Sequence, residues 1–145
     1  MIGVEIKKLD SRAEIPEYMT SGSAGCDIKA CLPDPIEILP GKRAAVATGL
    51  AFGIPEGFEV QIRPRSGLAI KKGLTVVNAP GTIDCDYRGE VKVLLINHSD
   101  ETVVISHGER IAQCVLSRVD QIRWSVVSEL DETSRGSGGF GSTGK

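Results

Sequence analysis

Apolar residues recur at every second position, in short runs divided by turn signals, and that pattern leaves room for little but strands. Phe58-Glu59-Val60-Gln61-Ile62-Arg63 alternates over six residues and so gathers its apolar side chains on one face. Ile36-Glu37-Ile38 alternates in the same way, and Val4, Ile6 and Leu9 open the chain. Val91-Lys92-Val93 leads into Leu94-Leu95-Ile96, followed by Val103, Val104, Ile105 and then Ile111, Val115 and Leu116. Between the runs stand Pro33-Asp34-Pro35, Pro40-Gly41, Pro55-Glu56-Gly57 and Ser99-Asp100-Glu101. Turn signals at intervals of roughly 8–12 residues predict an all-β sandwich, jelly roll or barrel. Ser99-Asp100-Glu101 reads as a hairpin joining two long strands. Helix punctuation occurs once, over Ser66–Lys72, where Ser66 is a candidate cap and Gly73 a candidate stop.

Composition then narrows the classes. A length of 145 residues favours one domain with a self-sufficient core. A net charge of -2 and a pI near 5.7 oppose a basic nucleic-acid binder. Six aromatic residues are few for a base-stacking platform. No apolar run approaches the ~18 residues of a membrane span, and the N-terminal MIGVEIKKLD does not read as a signal peptide, so the expected location is cytoplasmic. Cys26, Cys31, Cys85 and Cys114 lack any C-x-x-C pair, and they read as small buried apolar residues rather than disulfides or zinc ligands. The Asn97-His98-Ser99 sequon carries no meaning in a cytosolic chain. Five of the seventeen glycines fall in the last eleven residues. From about Ser134 nothing can bury a core face. The expected organisation is therefore a β domain over 1–133 and a flexible Gly-rich arm over 134–145.

Several segments have the residue types that chemistry needs. The tail mimics a P-loop, Gly139-x4-Gly144-Lys145, but offers no helix N-terminus to hold a phosphate. Its glycine N–H groups and Arg135 still suit phosphate oxygens, and Phe140 suits a flat ring. A plain flexible tail is the alternative. Gly81-Thr82-Ile83-Asp84-Cys85-Asp86-Tyr87-Arg88-Gly89-Glu90 fails as an EF-hand, because Arg88 fills a ligand position and Leu95 the closing one. Asp84 in such a loop suits a general base, a hydrated cation, or merely a polar hairpin. Pro64-Arg65-Ser66-Gly67 opens the short helix as an anion site or only as a capped start. Asp27 follows the small-residue turn Ala24-Gly25-Cys26 and suits a metal's water shell or a turn cap. Gln113 is a polar amide in an apolar run and needs a partner. His98 and His107 read as surface residues, so no Ser-His-Asp arrangement is supported.

The ordered set of these segments is more specific than any one of them. Ala24-Gly25-Cys26-Asp27, Pro64-Arg65-Ser66-Gly67-Leu68-Ala69, Gly81-x-Ile83-Asp84-x-Asp86-Tyr87-Arg88-Gly89-Glu90, Gly108-Glu109-Arg110-Ile111-Ala112-Gln113 and Arg135-Gly136-Ser137-Gly138-Gly139-Phe140-Gly141-Ser142 succeed one another along nearly the whole chain. This resembles the homotrimeric deoxyuridine triphosphate nucleotidohydrolases, the dUTPases, with all five of that family's motifs in order. The resemblance implies an all-β, distorted jelly-roll-like β-barrel with one short helix and a C-terminal arm. It implies a homotrimer with shared active sites. It also implies Mg²⁺-dependent hydrolysis of dUTP to dUMP and pyrophosphate by water attack on the α-phosphorus, which keeps uracil out of DNA and supplies dUMP for thymidylate synthesis.

Carried over by motif position, Asp84 would activate the water and Gln113 would hold phosphate or water beside the α-phosphorus. Arg65, Ser66 and Gly67 would hold phosphate oxygens, and Asp27 would help place hydrated Mg²⁺. Asn78 and the backbone before Asp84 would read uracil, with Tyr87 beneath the deoxyribose. Arg135, Gly138, Gly141 and Ser142 would close over the triphosphate while Phe140 covers the base. A dCTP deaminase-type enzyme on the same fold would need an acid/base near the pyrimidine 4-position, and Asn78-Ala79-Pro80-Gly81 contains no Glu. A non-catalytic nucleotide-binding relative would be expected to lack Asp84 or the arm, and both are present.

Overall fold

The computed structural model describes residues 2–140. It contains β1 (Glu5–Lys8), β2 (Cys26–Lys29), β3 (Ile36–Ile38), β4 (Arg43–Ala47), β5 (Leu50–Gly53), β6 (Phe58–Arg63), α1 (Ser66–Lys72), β7 (Leu74–Val76), β8 (Gly81–Ile83), β9 (Lys92–Asn97), β10 (Val103–Ile105) and β11 (Arg110–Arg118). The strands form four sheets, ordered β1-β5, β3-β10, β2-β11-β6-β8 and β4-β9-β7, and every pair is antiparallel. These sheets wrap one apolar core in a jelly-roll-like all-β fold. Among the described residues no helix is long and apolar enough to cross a membrane.

Alternation places the core as expected. Val60 and Ile62 of β6 are buried while Arg63 is exposed, and β9 buries Val93 and Leu95 while exposing Lys92 and Leu94. From the other sheets Ile28, Ile38, Val46, Leu50, Leu74, Ile105 and Ile111 meet them. Truncating any such side chain to Ala removes transfer energy and leaves a cavity, a loss of about 2–5 kcal/mol.

Asn97 continues the buried face of β9 and is fully buried. Its Nδ2 donates to the carbonyls of Ile38 (2.8 Å) and Glu101 (2.7 Å). Its Oδ1 accepts from the N–H (2.9 Å) and hydroxyl (2.7 Å) of Ser99. The residue therefore ties three segments together from inside, and it offers no acceptor to a glycosyl donor. Asn97→Ala is expected to lose roughly 2–4 kcal/mol, because each buried group left unpaired costs about 1–3 kcal/mol. Urea unfolding with an unchanged m-value measures this, and a loss below about 1 kcal/mol would show the network to be dispensable.

Five local expectations change. Ser99-Asp100-Glu101 does not join two long paired strands: β10 has only three residues and pairs with β3, whereas β9 pairs with β4 and β7. Ser66 does not cap α1. Arg65 is the N-cap, with extended φ and ψ of -99° and 128° and no side-chain cap bond, and Ser66 is already the first helical residue. The stop is as expected: Gly73 takes φ 59°, and a Cβ there would approach the Ser99 nitrogen to 2.8 Å. Cys26 and Asp27 are strand residues of β2 rather than turn residues, and Gly81–Ile83 forms β8 rather than loop. All four cysteines are free, but only Cys31 and Cys114 are buried, with Cys26 and Cys85 half-buried. The hydrogen bond between Cys26 and Cys114 lowers the Cys26 thiol to about 7, against the opposing effect of burial, and raises Cys114.

Candidate active site

Two clusters of polar side chains lie at the four-stranded sheet, one across its strands and one in the loops flanking its edge strand β8. The first depends on register. Gln113 of β11 stands opposite Asp27 of β2 on one side and Arg63 of β6 on the other, so three strands contribute to one row. Two residues past Arg63 the chain reaches Arg65, the N-cap of α1, whose side chain turns back over the row. Its Nε donates to Oδ1 of Asp27 (2.9 Å) and its Nη1 to the carbonyl of Arg110 (3.0 Å). The Arg110 side chain donates from Nη1 to Oδ2 of Asp27 (3.1 Å).

Asp27 thus lies between two guanidinium groups with only 15% of its side chain exposed. Paired charges of this kind fix each other's geometry, and Arg keeps N–H donors over for a further anion. Gln113 donates from Nε2 to the carbonyl of Pro64 (2.9 Å), which is the partner its position demanded. Its Oε1 lies against Gly25, where any Cβ would collide with it. Ser66 and Gly67 are exposed at the start of α1, and Gly67 has open space beside it.

The second cluster lines a cavity of about 440 Å³ beyond the β6–β8 edge. Asn78, Gly81, Thr82, Asp84, Tyr87 and Glu90 contribute to its wall, with Ile62, Val76 and Leu94 beneath. Gly81 pairs with Ile62 and sits under Asn78, where a Cβ would stand 3.3 Å from Nδ2. Asp84 follows β8 directly and is exposed, and its carbonyl accepts the Tyr87 N–H at 3.2 Å. The Tyr87 ring is held by its own hydroxyl, which donates to the Glu90 carbonyl at 3.0 Å. The ring presses on Gly89 so closely that no Cβ fits there. Glu90 anchors the far side by accepting the Gly49 N–H at 3.0 Å.

The row of Asp27, Gln113 and Arg63 continues toward β8, since Ile62 beside Arg63 pairs with Gly81. Three strand spacings separate β2 from β8, about 14 Å. Asp27, Arg65 and Gln113 therefore form one group at the four-stranded sheet, while Asn78, Asp84 and Tyr87, from the loops flanking β8, line a separate cavity at its edge.

The tail residues join neither group. Arg135 donates from Nε to the Gly138 carbonyl at 2.8 Å, and Phe140 is fully exposed with φ 50°. Gly141 and Ser142 lie outside the described residues. Three contributors had no role assigned from sequence: Arg110, Gly25 and Glu90. All three stand within motif segments, but the contacts of Arg110 to Asp27 and of Gly25 to Gln113 come only with strand register, and that of Glu90 to Gly49 only with the fold. His98 and His107 are exposed, as expected.

Comparison with known proteins follows the same lines. A dUTPase named deoxyuridine 5'-triphosphate nucleotidohydrolase from Chlamydia pneumoniae is 58% identical over 94% of this chain and 95% of its own. The solved dUTPase of Staphylococcus bacteriophage 80alpha with dUPNHPP is 27% identical, covers 99% of both chains and superposes with a TM-score of 0.86. A dUTPase from phage phi11 of S. aureus, solved to show coordination of a structural Mg(II) ion, shares the fold at 24% identity and a TM-score of 0.76, over 88% of this chain and 97% of its own. The sequence model of the dUTPase family matches residues 11–144, which leaves only the two ends of the chain outside it, and the chain belongs to the dUTPase family.

Proposed function

We propose that the chain hydrolyses dUTP to dUMP and pyrophosphate, with Asp84 taking a proton from the water that attacks the α-phosphorus. One observation carries the reading: Asn78, Gly81, Asp84 and Tyr87 line one cavity, so a base reader, a sugar platform and a carboxylate face the same volume. Uracil lacks the methyl of thymine, and the close-packed Gly81 leaves space for the smaller base alone. Asn78 and adjacent backbone groups hydrogen-bond the uracil edge, a readout that rejects the exchanged donors and acceptors of cytosine by roughly 10⁴-fold. Tyr87, fixed against Gly89, lies flat under the deoxyribose and leaves no room for a 2′-hydroxyl.

The triphosphate carries about four negative charges and needs several positive groups and N–H donors. Arg65, Ser66 and Gly67 supply them, and Gln113 orients phosphate or water near the α-phosphorus. The donor set at Asp27 fits hydrated Mg²⁺ rather than direct ligation. Each carboxylate oxygen already accepts one guanidinium bond, which leaves lone pairs for metal-bound water. When bound with the nucleotide, Mg²⁺ neutralises phosphate charge.

The chain acts as a homotrimer with shared sites. The separation of the two side-chain groups supports this, as does an arm whose described residues touch neither. Residues 1–133 form the β domain, and 134–145 form the arm that closes over the nucleotide through Arg135, Gly138, Phe140, Gly141 and Ser142. A pyrophosphate-release panel with dUTP, dCTP, dTTP and UTP in the presence of Mg²⁺ tests the reading. Turnover is expected for dUTP, with the other three at least about 10²-fold slower. Ammonia release from dCTP would overturn it in favour of deamination.

A further inference from the structure

Cys26 and Cys114 are directly opposed across β2 and β11, with their side chains on the same face of the sheet. The Cys26 sulfur already lies 3.7 Å from the Cys114 carbonyl. Each cysteine adjoins a member of the phosphate-side row: Asp27 follows Cys26, and Gln113 precedes Cys114. On the opposite face from that row, both cysteines line an apolar cavity of about 280 Å³ with Val4, Ile15, Tyr18 and Phe52. No side chain assigned to nucleotide chemistry lies in that cavity.

We propose that this pair is a modification site, at which a small disulfide such as oxidised glutathione converts the two thiols to a reversible cross-strand disulfide that slows the neighbouring site. The Cys26 sulfur, half-buried at the cavity wall, attacks one sulfur of the small disulfide and expels one small thiol. The Cys114 sulfur then attacks the Cys26 sulfur of the mixed disulfide and expels the second. Two protein thiols are oxidised, one small disulfide is reduced to two thiols, and the two protein protons leave with those thiols.

Strand geometry says what the bond would do. The Ala30 N–H donates to the Glu109 carbonyl (2.8 Å), whereas the Asp27 N–H turns away to Glu17 (3.3 Å). Alternation along β2 therefore makes Cys26 and Cys114 a hydrogen-bonded pair, with Cα atoms about 5.5 Å apart. That spacing lies within the disulfide range of about 4.4–6.8 Å. The Cβ atoms, however, must approach from about 5.5 Å to about 4 Å. Closure thus pulls β2 and β11 together at Asp27 and Gln113. A bond made under such strain is readily reduced, as suits a transient rather than a structural disulfide. The effect on turnover rests on the dUTP-hydrolysing reading, whereas the bond itself does not.

The test incubates the full-length protein with oxidised glutathione, maps its peptides without reduction and follows pyrophosphate release in parallel. The expected result is a linked Cys26–Cys114 peptide pair. With it, dUTP turnover should fall by about 10- to 10²-fold, the scale of a misplacement near 1 Å, and dithiothreitol should restore it. Cys26→Ser and, independently, Cys114→Ala should keep their turnover in the oxidant. Glutathione retained on Cys26 alone, a link to Cys31 or Cys85 instead, or full linkage with unchanged turnover would each overturn the proposal. A reduced protein without dUTP turnover would refute the activity but leave the linkage to be scored by mapping.

Discussion

Asp84→Asn is expected to lower kcat for dUTP hydrolysis by roughly 10²–10⁴, the usual worth of a positioned general base. Asn has the same shape but cannot accept the water's proton at neutral pH. The substitution is clean on structural grounds. Asp84 is exposed, and the hydrogen bond that shapes its turn uses its backbone carbonyl, not its carboxylate. Stability should therefore shift by less than about 0.5 kcal/mol. Binding should hold or tighten, because the exchange removes one negative charge from a cavity that receives a polyanion. Titration with a non-hydrolysable dUTP analogue reports binding, and single-turnover pyrophosphate release reports chemistry. A kcat within about threefold of the wild type would take Asp84 out of the role. A fall in affinity matching the fall in kcat/KM would instead make it a binding residue.

How this site could be read from sequence depends on the range of the interactions involved. Strand alternation is local, so the apolar face of Phe58–Arg63 was legible, whereas the continuous run Leu94-Leu95-Ile96 did not say that Leu95 faces the core and Leu94 the solvent. The stop at Gly73 was legible too, because a left-handed helix end favours glycine. The cap was not: Arg65 has its side chain committed to Asp27, 38 residues away, and the hydroxyl of Ser66 lies one position too late to cap. The hairpin reading at Ser99–Glu101 failed for a related reason. Local turn chemistry was right, but β10 found its partner in β3, far back in the chain. Resemblance supplied the residues of the site as one set. The fold divided them into two groups, one in register across the four-stranded sheet and one in the loops flanking β8, and register brought in Arg110 as the second guanidinium on Asp27, 83 residues distant. Periodicity contains no information about such pairings.

Removing residues 134–145 is expected to abolish most turnover while leaving the fold intact, a loss of about 10²–10³ if the arm supplies donors comparable to those of an oxyanion hole. The physical asymmetry is plain in the described part of the arm. Arg135 bonds to Gly138 within the arm itself, and Phe140 buries nothing. Thermal midpoint and sedimentation should accordingly match the full-length protein, and a truncated chain that unfolds or dissociates would make the arm structural instead. The truncation also combines with Asp84→Asn in a test of sharing. If the arm closes over a site whose Asp84 belongs to another copy, each variant alone is nearly inactive by itself. Co-refolded mixtures then contain sites that take Asp84 from a truncated chain and an arm from an Asp84→Asn chain, and these recover activity. If every site were built from one chain, no mixing ratio would raise turnover above the sum of the two variants. The recovered fraction as a function of mixing ratio therefore separates an arm that acts in trans from one that folds back on its own subunit.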